Sequence, residues 1–234
     1  MAESKRQSKV LAKTKSMSNA VLNRIGEPEV RLLRIARVSA VGNVVFGAGK
    51  LALGIASMSL LTCVNAFYTF GMVGAKSCVL AGAIKEENTT AQYRYYKLSG
   101  IVLIVASALY IAYSAWLIAH PTSSVFSIYI ALAIATFTFA ELAVNIRGVI
   151  VYRHEDTPLL NAIKMINLAS SLICLVLTQT ALIALVPESQ AEMHPATNGF
   201  MGILMGSVAV ILGIVMIRRI NKIQAREMVE NPHD

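Results

Sequence analysis

Four ionisable residues interrupt long apolar stretches of this sequence: Lys50, Lys76, Glu141 and Lys164. A charge in hydrocarbon is costly, so such residues mark either an ion pair or a polar pathway. Glu141 is the only acid among them. The stretch that carries it and the next one run in opposite directions, which brings Lys164 within a turn or two of the same depth. We therefore expect Glu141 to pair with Lys164, leaving Lys50 and Lys76 to snorkel or to line water. Lys76 and Lys164 lie near enough to the ends of their stretches to snorkel. Lys50 lies deeper.

Other chemistries lack their residues. His120, His154, His194 and His233 all fall outside the apolar stretches. A mid-membrane proton relay or metal site would need one inside. No stretch holds two carboxylates or a Ser–His couple, so intramembrane catalysis is not expected and the chain is read as no enzyme. The phosphate-loop pattern G-x-x-x-x-G-K-[ST] is absent. Cys63, Cys78 and Cys174 lie within the stretches and read as small buried apolar residues, their spacing fitting neither a zinc knuckle nor a disulfide framework. No metal or other cofactor is expected.

The elements that must position these residues follow from composition. Of 234 residues, 56% are apolar and 15% charged, with a mean hydropathy of +0.60. Soluble domains carry about 25% charged residues. Apolar runs occupy roughly residues 38–58, 60–84, 98–118, 124–146, 159–186 and 197–217. Each suffices to cross a hydrocarbon core, which takes about 20 helical residues. They lack the alternation of barrel strands, and an open strand would leave its N–H groups bare in lipid. The expectation is an all-α integral membrane protein with six transmembrane helices, whose partner is the lipid bilayer.

All but three of the 21 Lys and Arg residues fall in the N-terminal segment, the second–third loop, the fourth–fifth loop or the C-terminal tail. The other loops hold none: a tight turn near Met58–Ser59, the stretch from His120 to Ser124, and the stretch from Pro187 to Pro195. By the positive-inside rule both termini are cytoplasmic. The expected organisation is a basic segment 1–37, a transmembrane domain 38–219 and a short tail 220–234. A plasma or inner membrane is the natural location. The 37-residue basic leader and the lack of a clear cleavage site argue against a signal peptide. The net charge of +8 belongs to these flanks, so no nucleic-acid partner is expected.

Within 1–37, short helices are expected at about 8–24 and 28–37, with Pro28 opening the second. Arg31, Arg34 and Arg37 share a face. They suit contact with an anionic inner leaflet, although a plain positive flank that orients the first span is the preferred reading. Gly202-x-x-x-Gly206, like the series Ala48, Ala52 and Ala56, permits close helix approach, and packing within one subunit is preferred to a dimer face.

The order of residues in the first two runs then matters. It is Asn43-Val-Val-Phe-Gly-Ala-Gly-Lys50, then Gly54, Ser57 and Ser59, then Asn65-Ala66-Phe67-Tyr68 and, four further on, Met72. This resembles the start of the cation diffusion facilitators, divalent-metal/proton antiporters. Their first span often carries an Asn, a Lys and a Gly in this order, before a Ser-rich turn. Six residues after that Ser comes an Asp-Ala-x-His-x-x-x-Asp stretch. Tyr93-Arg-Tyr-Tyr-Lys97 before the third run and the run from Ala196-Thr-Asn-Gly199 to Ile217-Arg218-Arg219 are also similar. The likeness covers about residues 40–219. It implies that family's six-helix bundle and, by analogy, a homodimer.

It also implies where a metal would sit: positions one, four and eight of that stretch, here Asn65, Tyr68 and Met72, with the fifth-span equivalents Lys164, Asn167 and Ser171. These six hold no carboxylate, imidazole or thiolate, and a protonated lysine cannot ligate. The resemblance thus implies the fold while the residues deny the family's divalent-metal chemistry. Two readings remain. One is a transporter of altered substrate, a small polar solute or ion, with Asn65, Tyr68, Asn167, Ser170 and Ser171 as a neutral polar cluster and Lys164 as its fixed charge. The other is a non-transporting partner, sensor or scaffold subunit.

Overall fold

The computed structural model describes the backbone of residues 27–83, 89–120, 128–151, 158–183 and 194–230. Six helices make up this part: α1 (Glu27–Ala56), α2 (Leu60–Ala83), α3 (Thr89–Ala119), α4 (Ile128–Val151), α5 (Pro158–Ile183) and α6 (His194–Glu230). The described residues contain no strand. All helices but α2 are long and apolar enough to cross a membrane. Large apolar side chains such as Val45, Phe67, Leu109, Leu132 and Ile211 are exposed on the outside of the bundle, as contact with lipid requires. The chain is an all-helical, multi-pass membrane protein. α2 is as long as α4, at 24 residues, but Asn65, Thr69 and Lys76 lower its hydropathy, and all three are buried.

Helix ends depart from the apolar runs in an instructive way. α1 starts at Glu27 and passes residue 37 without a break, so the segment 28–37 joins the first span. The expected helix at 8–24 lies outside the described residues. α6 continues through the tail to Glu230, because Ile220 is fully buried and Ile223 packs beside it against the core. α3 likewise begins well before residue 98, with Tyr96 buried. Hydropathy marks the lipid-facing stretch, whereas packing decides where a helix ends.

α1, α2, α4 and α5 form a four-helix ring, in which α1 packs on α2 and α4, and α5 on α2 and α4. α3 and α6 pair with each other and pack against α2 and α5. α5 is the central helix: 67% of its span is buried, against 33% or less for the other four. The α3–α6 seam is built on glycine. A Cβ on Gly199, Gly206 or Gly213 would meet Ile118, Ile111 or Ile104 of α3 at 2.5–2.6 Å. Gly202 faces Ser114 in the same seam, so Gly202-x-x-x-Gly206 serves packing inside one chain. Ala48, Ala52 and Ala56, by contrast, lie on the exposed side of α1.

The α1–α2 hairpin closes in three residues. Ser59 N–H donates to Gly54 O at 2.9 Å and Met58 N–H to Ile55 O at 3.2 Å. This is the paired-bond helix stop whose hinge residue takes a left-handed conformation. Met58, at φ 49°, fills that role. Ser59 then caps α2, its Oγ accepting from Thr62 N–H at 3.3 Å. Gly54 permits the close return, because a Cβ there would stand 2.7 Å from Cys63 Sγ and 2.9 Å from its backbone nitrogen.

Candidate functional site

The antiparallel registers decide which polar residues meet. On α1 and α2, Lys50 reaches Asn65 and Thr69, while Ser39 reaches Lys76. On α4 and α5, Asn145 meets Ser170 and Gly148 lies against Asn167. Extending that last register places Glu141 opposite Cys174. Lys164 is ten residues further along α5, about 15 Å at the helical rise.

Glu141 accordingly pairs with Lys50 of α1, not with Lys164. The expected partner is wrong because α4 runs to Val151, beyond the apolar run that ended near 146. That shift moves Glu141 away from the helix end where Lys164 sits, half-buried. Lys50 and Glu141 are 1% and 0% exposed. An ammonium has three protons to place. Glu141, Asn65 Oδ1 at 2.7 Å and Thr69 Oγ1 at 3.2 Å receive them, with Cys174 Sγ at 3.8 Å as a fourth neighbour. Thr69 passes its own proton to Asn65 O at 3.0 Å, with Glu141 Oε1 next at 3.5 Å. Asn65 Nδ2 donates to Ile173 O at 3.4 Å. A buried ion pair is held only if further hydrogen bonds satisfy its atoms. Around Lys50 of α1, α2 supplies two of those neighbours and α4 and α5 one each.

Lys76 does not snorkel. It is 1% exposed and donates to Ser39 Oγ at 3.0 Å. With the Asn43 amide oriented so that its nitrogen donates to Ser39 O, its oxygen accepts from Lys76 at 2.8 Å. On α4 and α5, Asn145 Nδ2 donates to Ser170 Oγ at 3.1 Å. Asn145 Oδ1 and both amide atoms of Asn167 are buried without a hydrogen-bond partner.

The six positions aligned with a metal site do not converge. Asn65 joins Lys50. Tyr68 turns its hydroxyl toward Ser107 of α3, 3.5 Å away, and its ring packs on Tyr110. Met72 is fully buried in the apolar core between α2, α3, α5 and α6. Asn167 faces Gly148, and Ser171 Oγ bonds back to Asn167 O at 2.9 Å. The charge bonded to Asn65 is therefore Lys50, and neither amide atom of Asn167 bonds Lys164. Among the described residues no three His, Cys, Asp or Glu side chains gather. An apolar groove of about 530 Å³ opens between α2 and α3, beside Phe67, Val105, Tyr110 and Tyr113. Of the candidate residues only Tyr68 lines it.

Sequence reasoning passed over Thr69, Asn145 and Ser39, and treated Cys174 as apolar filling. One signal pointed to Thr69 and Cys174. Seven residues, two helical turns, separate Asn43 from Lys50, Thr69 from Lys76 and Asn167 from Cys174. Such spacing keeps both members on one helix face. No protein-family model matches this chain, and no curated protein is detectably similar to it in sequence.

Proposed function

We propose that the chain is a transporter of a small polar solute or ion, and that the ring of α1, α2, α4 and α5 is its translocation core. On this reading α2 is a sixth span, because its polar residues bond inward while Phe67 faces outward. Both ends are then cytoplasmic, by the distribution of Lys and Arg, in a plasma or inner membrane. The sequence pattern of residues 40–219 resembles that of the cation diffusion facilitators. The Lys50 ammonium, held beside Asn65, takes the place of their mobile dication.

The observation that carries the reading is the Lys50–Glu141 pair at the junction of four helices. Packing alone rarely calls for it, since a hydrophobic pair of similar volume is often as stable or more so. Intramembrane ions that survive are usually tied to a pathway. The second reading, a non-transporting partner, sensor or scaffold subunit, is favoured by the closure around the pair, both of whose side chains are sealed from solvent.

Flux into proteoliposomes tests the choice. Uptake of small anions, cations and neutral polar solutes should single out one class, and Glu141→Gln should abolish that uptake. Absence of flux for every class, with the protein correctly inserted, would leave the partner reading.

A further inference from the structure

A second set of polar groups lies two turns from the ion pair, always in the same direction along the bundle. Stepping seven residues leads from Lys50 to Asn43 on α1, from Thr69 to Lys76 on α2, from Glu141 to Gly148 on α4 and from Cys174 to Asn167 on α5. Asn145 and Ser170 sit one turn along on α4 and α5 and bond each other. The direction agrees because α1 and α5 run against α2 and α4.

The two sets differ in charge. The first is neutral, since Glu141 answers Lys50. The second holds the Lys76 ammonium, whose hydrogen-bond partners are the hydroxyl of Ser39 and the amide oxygen of Asn43. Glu141 is the only acid in any of the apolar runs, and it is already engaged. On the same step along α4 and α5, Asn167 Nδ2, Asn167 Oδ1 and Asn145 Oδ1 are buried without a hydrogen-bond partner, on residues that are 0% exposed. Buried polar atoms find partners almost everywhere in native structures, and a bound ion or ligand is one way such atoms are satisfied.

We propose that this second set is a binding site for a small monovalent oxyanion that bears a hydroxyl. Its negative oxygen takes the Lys76 ammonium and the Asn167 N–H. Its hydroxyl donates to one of the two orphaned amide oxygens, which a bare halide cannot satisfy. The inference deepens the transport reading by naming the substrate class, and its test is arranged so that the two can fail separately.

Bicarbonate is the probe, titrated at fixed pH into detergent-purified full-length protein, with chloride and nitrate for comparison. Calorimetry and the melting temperature should report bicarbonate binding, with the other anions about tenfold weaker, the upper end of what one neutral hydrogen bond is worth. Lys76→Gln should abolish binding. Asn167→Leu should weaken it by a similar factor, removes no hydrogen bond within the protein, and has its fold checked by the melting temperature without ligand. Unchanged binding in Asn167→Leu and Lys76→Gln overturns the site, as does equal binding of chloride. No binding of any probe overturns it too. Binding that follows this pattern without flux in proteoliposomes upholds the site and removes the transport reading. Flux indifferent to Lys76→Gln does the reverse.

Discussion

Lys50 and Glu141 meet from antiparallel helices α1 and α4, each sealed from solvent, and their pairing ties the N-terminal hairpin to the second half of the bundle. Removal of one partner strands the other. Lys50→Met or Glu141→Gln alone should therefore destabilise the protein by about 3–5 kcal/mol, and the double variant should regain most of the loss. Melting curves in detergent measure both. The charge swap with Lys164, Glu141→Lys with Lys164→Glu, should rescue nothing, whereas the swap with Lys50 should recover folded protein.

Gly54 and Gly42 of α1 should respond to alanine in opposite senses. A methyl at Gly54 meets the α2 backbone, which cannot yield, so Gly54→Ala should cost about 1–3 kcal/mol by overpacking. Gly42 has nothing within 4 Å of the added Cβ. Gly42→Ala should gain up to about 1 kcal/mol from helix propensity. Paired thermal unfolding of the two variants decides the point.

Met58 occupies a left-handed position that glycine adopts freely. Its side chain is 95% exposed, so it contributes little packing. Met58→Gly should raise stability by about 1 kcal/mol, the order of the left-handed penalty, read as a higher melting temperature.

The same residue reports topology. With Cys63, Cys78 and Cys174 replaced by alanine, Met58→Cys should react with a membrane-impermeant maleimide added outside intact cells. A cysteine placed at Asp234 should react only after the cells are opened. The reverse pattern would invert the proposed orientation.

Much of the bundle was legible because lipid-facing helices must be apolar along their length. The runs near 60–84 and 159–186 nearly match α2 and α5. The hairpin turn was legible from the Met58–Ser59 break between two runs. What hydropathy does not carry is register. Glu141 finds Lys50 through the stagger of four helices, and that stagger depends on how far α4 extends past residue 146. Lys164 seemed the nearer partner because the connection between α4 and α5 is short in sequence. The polar cluster was legible in part: Asn65 was picked out by the family resemblance, which passed over Thr69, one helical turn further on, though Lys50 reaches both.

The inward bonds of α2 bear on how the chain is made. Released singly into hydrocarbon, this helix would bring Asn65 and Lys76 with no side-chain counterpart, and Thr69 with only the Asn65 carbonyl of its own helix. Ser39, Asn43 and Lys50 of the preceding helix supply those counterparts, across a turn of three residues. On the proposed topology the two segments leave the insertion machinery together, as one hairpin whose polar seam is zipped before it meets the lipid.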